Sequence, residues 1–189
     1  MLLMTGALVA LPAFAYAHSP TPRFGDFYGG ILHPLTALEH TFAVIALGLL
    51  AGQQGRRGAR WAALLFPLGL LAGALAALGQ DATPAVSLIN RASFVVLGVL
   101  VAVGRPLPLP LLGAICLFFG ATHGFENVAG LDVLVARHLF ITGIFVAGVC
   151  ATLILSAVAL TMHRPWQKIA VRVAGSWVFA IGTLLLALA

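Results

Sequence analysis

Charge is scarce in this chain: Asp, Glu, Lys and Arg make up 8% of 189 residues, and only five of them are acids. A soluble domain of this length carries about three times that fraction, so an ordinary water-exposed surface is excluded. Cysteine is nearly absent. Cys116 and Cys150 both fall inside apolar runs, which excludes a secretory disulfide framework and predicts buried free thiols. No soluble domain, nucleotide-binding loop or internal repeat stands out, which removes ATP-driven transport by this chain alone. There is no His-Glu-x-x-His motif and no Ser/His/Asp ordering, so hydrolytic chemistry has no support and the chain does not read as an enzyme. The net charge of +5 and pI near 10.3 could suit nucleic acid, but the ten basic residues are scattered between apolar runs rather than clustered. Nucleic acid is therefore not an expected partner, and no organic cofactor is predicted.

What the chain has in excess is apolar sequence: 61% hydrophobic residues and a mean hydropathy of +1.09. The expected fold class is an all-α, polytopic membrane helix bundle with the lipid bilayer as its solvent. Residues 1–17 form a short apolar run ending in the small-residue pattern Ala15-Tyr16-Ala17, which reads as a signal peptide cut before His18. No Lys or Arg precedes Arg23, and an uncleaved additional helix is the alternative. The remainder, 18–189, is a single transmembrane domain. Six spans are predicted, at about 29–52, 59–79, 84–104, 107–126, 133–162 and 168–188, each long enough for a hydrocarbon core of roughly 30 Å.

The cations give an orientation. Arg56, Arg57 and Arg60 lie in the first connection, Arg105 in the third, and Arg164, Lys168 and Arg172 around the fifth, so these ends are expected in the cytoplasm. Both the N-terminus after cleavage and the C-terminus then lie outside. All five acids and five of the six histidines fall toward that outer side, and only His163 lies on the other.

The polar residues of the first span carry the functional signal. His33 and His40 are seven positions apart, which on a continuous helix puts them within about 20° of one line, and Glu39 sits one step aside. Ionisable groups at the centre of a bilayer cost roughly 2.5–3.5 kcal/mol each on insertion scales, so three together ask for compensation by partners, water or a metal. A second cluster closes the fourth span, where His123 and Glu126 are three apart and can reach a common ligand. Cys116 lies seven residues before His123 but deeper, and reads as packing. Imidazole and carboxylate together suit borderline divalent ions such as nickel, cobalt or zinc, and the shortage of thiols argues against a copper(I) pathway. Arg91, inside the third span, either pairs with Glu39 or Glu126 or reaches for the outer headgroups. His18 and His138 are further candidates near the entrance. Gly48-x-x-x-Gly52, Gly69-x-x-x-Gly73 and Gly120-x-x-x-Gly124 place small residues on single helix faces and predict close helix contacts.

The segment His33-Pro34-Leu35-Thr36-Ala37-Leu38-Glu39-His40 resembles the H-P-x-x-G-x-D-H signature of the HupE/UreJ family of bacterial nickel/cobalt permeases. Phe118-Phe119-Gly120-Ala121-Thr122-His123-Gly124-Phe125-Glu126 is similar to that family's second signature, F-H-G-x-A-H-G-x-E. The resemblance implies a secondary permease carrying a divalent ion inward, nickel or cobalt with zinc as third candidate, with His33, Glu39, His40, His123 and Glu126 as its metal-handling residues. The chain departs from the signatures at Ala37 for Gly, Glu39 for Asp, Phe119 for His and Thr122 for a small residue, and Ser87 stands where the family is expected to carry a carboxylate.

Three other readings compete. One is a non-transporting membrane subunit that keeps the permease fold and holds a partner complex or a second copy of itself. Another is a haem protein with two axial histidines, and the last an intramembrane hydrolase, which the motifs do not support.

Overall fold

The computed structural model describes residues 25–132 and 134–188. The expected signal peptide at 1–17 and His18 lie outside these residues. The described residues form seven helices: α1 (Gly25–Thr36), α2 (Leu38–Gln53), α3 (Gly55–Ala76), α4 (Pro84–Val103), α5 (Leu109–Val128), α6 (Arg137–Thr161) and α7 (Pro165–Ala187). Helices α3 to α7 are each long and apolar enough to cross a membrane, and α1 and α2 pass the same test together as a bent pair. The described residues are all-helical, and the protein is a multi-pass membrane protein.

The broken span departs from the continuous helix expected over 29–52. Here α1 and α2 meet at 65°. The cause is local. Pro34 has no amide hydrogen and its ring crowds the preceding turn, and three residues later Ala37 takes extended backbone with φ −87° and ψ 101°. A break inside a membrane must satisfy the carbonyls it frees. Thr41 does so, its hydroxyl lying 2.7 Å from the Pro34 carbonyl and 3.2 Å from that of Ala37.

Beyond the break, α2 is the central helix. Residues Ala46 through Gly52 are all buried, so this segment is covered on every side. It packs against α6, α4 and α3, while α3 pairs with α5, α4 with α7, and α1 with α6. The glycines make these pairs close. A Cβ on Gly73 would overlap the Ala121 carbonyl, one on Gly124 the Leu70 carbonyl, and one on Gly120 would lie 2.5 Å from the Phe66 carbonyl. The two glycine motifs expected from sequence in α3 and α5 therefore face each other, and Gly48 and Gly52 of α2 meet Leu155, Ser156 and Ala159 of α6 in the same way.

The termini sort into two ends. One end collects the start of α1, the end of α3, the start of α4, the end of α5 and the start of α6, tied together by Asp26 Oδ2 accepting from the Ala136 amide at 2.8 Å. The opposite end collects the basic connections, where Gln53 donates to the Val101 carbonyl and Gln54 accepts from the Leu107 amide. Cys116 is buried and free as expected; Cys150 is free but exposed on the outside of α6, which corrects the expectation that both thiols are buried.

Candidate metal site

Two histidines from distant parts of the chain meet in the acid-bearing half of the bundle. His40, one turn past the break in α2, and His123 of α5 place their Nδ1 atoms 3.0 Å apart, with ring centroids 5.3 Å apart and planes nearly perpendicular at 81°. Both are buried, at 6% and 2% exposure, far from where an unassisted imidazole would be placed. The α3–α5 glycine seam holds His123 in place, since Gly124 beside it leaves no room between the two backbones.

The hydrogen-bond network assigns the tautomers. The Ser93 hydroxyl on α4 donates to the Asn90 carbonyl at 2.6 Å, so its oxygen is left to accept from His123 Nε2 at 3.0 Å. That puts the proton of His123 on Nε2 and leaves the Nδ1 lone pair directed at His40, whose own Nδ1 carries the shared proton. Phe94 stacks beside the His123 ring at 6.4 Å between centroids and fixes its plane.

Glu126, one turn beyond His123, brings a carboxylate to the same place. Ligand atoms of His40, His123 and Glu126 all lie within 4.8 Å of one another. The carboxylate is held by α4: Ser87 Oγ donates to one oxygen at 2.5 Å and Asn90 Nδ2 donates to the other, while also reaching the Thr122 carbonyl at 3.1 Å. Arg91 makes no ion pair with Glu126 or Glu39; it lines a surface groove with Thr83, Pro84 and Ser87. The ion-pair alternative for Arg91 is therefore not the one found, and its Nε is buried without a hydrogen-bond partner.

The remaining candidates take other positions. His33 lies across the α1–α2 break with its ring 5.5 Å from that of His40 and edge-on to Phe140. Glu39 is half-buried in the first turn of α2 and is not among the convergent ligand atoms. His138 is exposed at the start of α6, and Phe119, where the family signature has a histidine, is buried in the core against Phe118.

Two features were not anticipated. Ser93 was not singled out, although Ser87, Asn90 and Ser93 recur every three residues in an otherwise apolar helix, a spacing that marks a polar stripe. Asn127 was also passed over. It is 1% exposed, its Oδ1 has no hydrogen-bond partner, and with His40 and His123 it lines a mainly apolar cavity of about 220 Å³ between α2, α3 and α6. A buried amide oxygen beside two imidazoles is a ready additional donor to a cation.

Residues 6–185 match the family described as HupE / UreJ protein. The chain is 27% identical over 186 residues to "Protein HupE" of Rhizobium leguminosarum bv. viciae, covering 96% of this chain and 95% of that protein. No solved structure matches.

Proposed function

The chain belongs to the HupE / UreJ family, and from that premise we propose that it moves a divalent transition-metal ion, nickel or cobalt, into the cell across the bacterial inner membrane. One observation carries this reading: the convergence of His40, His123 and Glu126, two buried imidazoles and a carboxylate supplied by different helices of a membrane bundle. The family's association with nickel and cobalt supports the choice of ion.

The ligand types support it as well, because imidazole and carboxylate together suit borderline divalent ions such as nickel and cobalt. Loading requires the His40 proton to leave Nδ1 for Nε2, freeing the second lone pair. With Glu126 anionic the site balances one of the two positive charges, and incomplete neutralisation suits an ion that must leave again. His33 and Glu39 flank the cluster at the α1–α2 break and are assigned as ligands on the approach to it.

The basic helix ends support an orientation with the arginine-rich face in the cytoplasm and the site in the outer half of the membrane. Inward movement of a divalent ion down a potential of about 100 mV yields roughly 4.6 kcal/mol, twice the single-charge value, which drives accumulation without ATP.

The test is the metal content of the purified protein after exposure to a low-micromolar mixture of nickel, cobalt, zinc, manganese and copper, measured by mass spectrometry beside His40→Ala and His123→Ala. Enrichment of nickel or cobalt that both substitutions abolish is the expected result. A second reading, a non-transporting subunit that keeps the fold, draws on Phe119 standing where the signature has a histidine; it predicts no retained metal and a co-purifying protein partner.

A further inference from the structure

We propose that the arginine-rich end of the bundle holds an anionic phospholipid headgroup in a built pocket, independent of the metal site. A cavity of about 400 Å³ opens where α2, α4 and α6 end and α7 begins, and its charged lining is entirely basic: His163, Lys168 and Arg172, with no carboxylate. None of the three makes an ion pair with a described residue, and the concentration of positive charge repels a metal ion, so this is not a release station for the cargo.

The individual side chains are set for a phosphodiester. Arg172 uses Nε on the Ala102 carbonyl at 2.7 Å, which anchors the guanidinium and leaves its terminal nitrogens for a ligand. Gly104, which ends α4 with φ +63°, a conformation glycine takes without strain, lies beside the Arg172 stem. Gln53 donates Nε2 to the Val101 carbonyl at 3.0 Å, while its Oε1 is buried with no partner. That orphan oxygen can only accept, so the ligand that completes the pocket brings a donor as well as an anion. A glycerol-type headgroup, phosphate plus hydroxyl, offers both.

A lipid makes use of more of the cavity than free phosphate does, because part of the wall is apolar. Ala159, Leu160 and Val171 line the same cavity, and inorganic phosphate has nothing to place against them. Trp166, in the first turn of α7 at the same end, is of a residue type enriched at membrane–water boundaries. Basic pockets between spanning helices at this level are the usual place for anionic headgroups.

The experiment is native mass spectrometry of the full-length protein in detergent, titrated with phosphatidylglycerol and with phosphatidylcholine of the same acyl chains. The expected result is a first phosphatidylglycerol bound at least tenfold more tightly, a preference lost in Lys168→Gln/Arg172→Gln and kept in Arg57→Gln, an exposed cation on the same end. Millimolar inorganic phosphate should not displace it. Equal binding of the two lipids by the unmodified protein would overturn the proposal without reliance on any variant. So would a preference that survives the double substitution, falls equally in Arg57→Gln, or yields to inorganic phosphate, the last naming a free anion as the ligand.

Discussion

His40 and His123 are 83 positions apart in sequence and face each other through Nδ1 at 3.0 Å, with a single proton between them. An ion that enters this gap replaces that proton rather than adding to an empty cage. The site is therefore preorganised by the hydrogen bonds that hold the rings, and its chemistry is sensitive to anything that changes them.

Ser93→Ala is the mildest way to disturb it. The substitution removes the acceptor that keeps the His123 proton on Nε2, so the ring becomes free to present an N–H to the ion. Loss of such an outer partner typically costs about 10- to 100-fold in metal affinity. Calorimetric titration of the purified variant with nickel should show a loss in that range, together with a lower melting temperature because the buried His123 Nε2 loses its partner. Wild-type affinity would show that the tautomer is not set by Ser93.

Acidification should release the ion. Only neutral imidazoles coordinate a metal, so protonating either ring both fills a lone pair and adds like charge to the site. Retained metal should fall as pH is lowered, since proton and ion compete for the same ring nitrogens. Dialysis at stepped pH followed by metal analysis reads it directly, and retention that rises on acidification would rule out imidazole ligation.

Thr41→Val tests the break in the first span. It leaves the Pro34 carbonyl, now 2.7 Å from the Thr41 hydroxyl, without a partner inside the membrane, at a cost of about 1–3 kcal/mol. A lower melting temperature in detergent is expected, together with weakened metal retention, because His33 and His40 stand on opposite sides of the break. Unchanged melting would mean that water or a backbone shift satisfies that carbonyl instead.

Gly73→Leu should be more damaging. Its side chain has to displace the Ala121 backbone, and separating α3 from α5 costs about 1–3 kcal/mol or more by overpacking alone. Since α5 carries His123 and Glu126, metal retention should fall along with the melting temperature.

Particular residues explain what the sequence made legible. The glycine motifs were readable because close backbone approach leaves few alternatives to Gly, and Gly69/Gly73 do face Gly120/Gly124. His40, His123 and Glu126 were readable because charge inside an apolar span has few innocent explanations. The break at Ala37 was not, since a proline after a polar residue looks the same at the start of a helix as within a bent one. Cys150 was placed in the interior because lipid and core are equally apolar, so hydropathy cannot tell a lipid-facing side chain from a packed one. Ser93 escaped notice for a related reason: a single hydroxyl disturbs an apolar run too little to stand out.

The glycine seam between α3 and α5 has a mechanical consequence. Backbones that already touch can neither slide nor rotate past one another without collision, so His123 and Glu126 ride on a fixed anvil. His40 stands on a second seam: past the 65° elbow at Ala37, α2 meets α6 through Gly48 and Gly52. The two rings are held face to face by two separate seams, so overpacking either one moves one histidine away from the other.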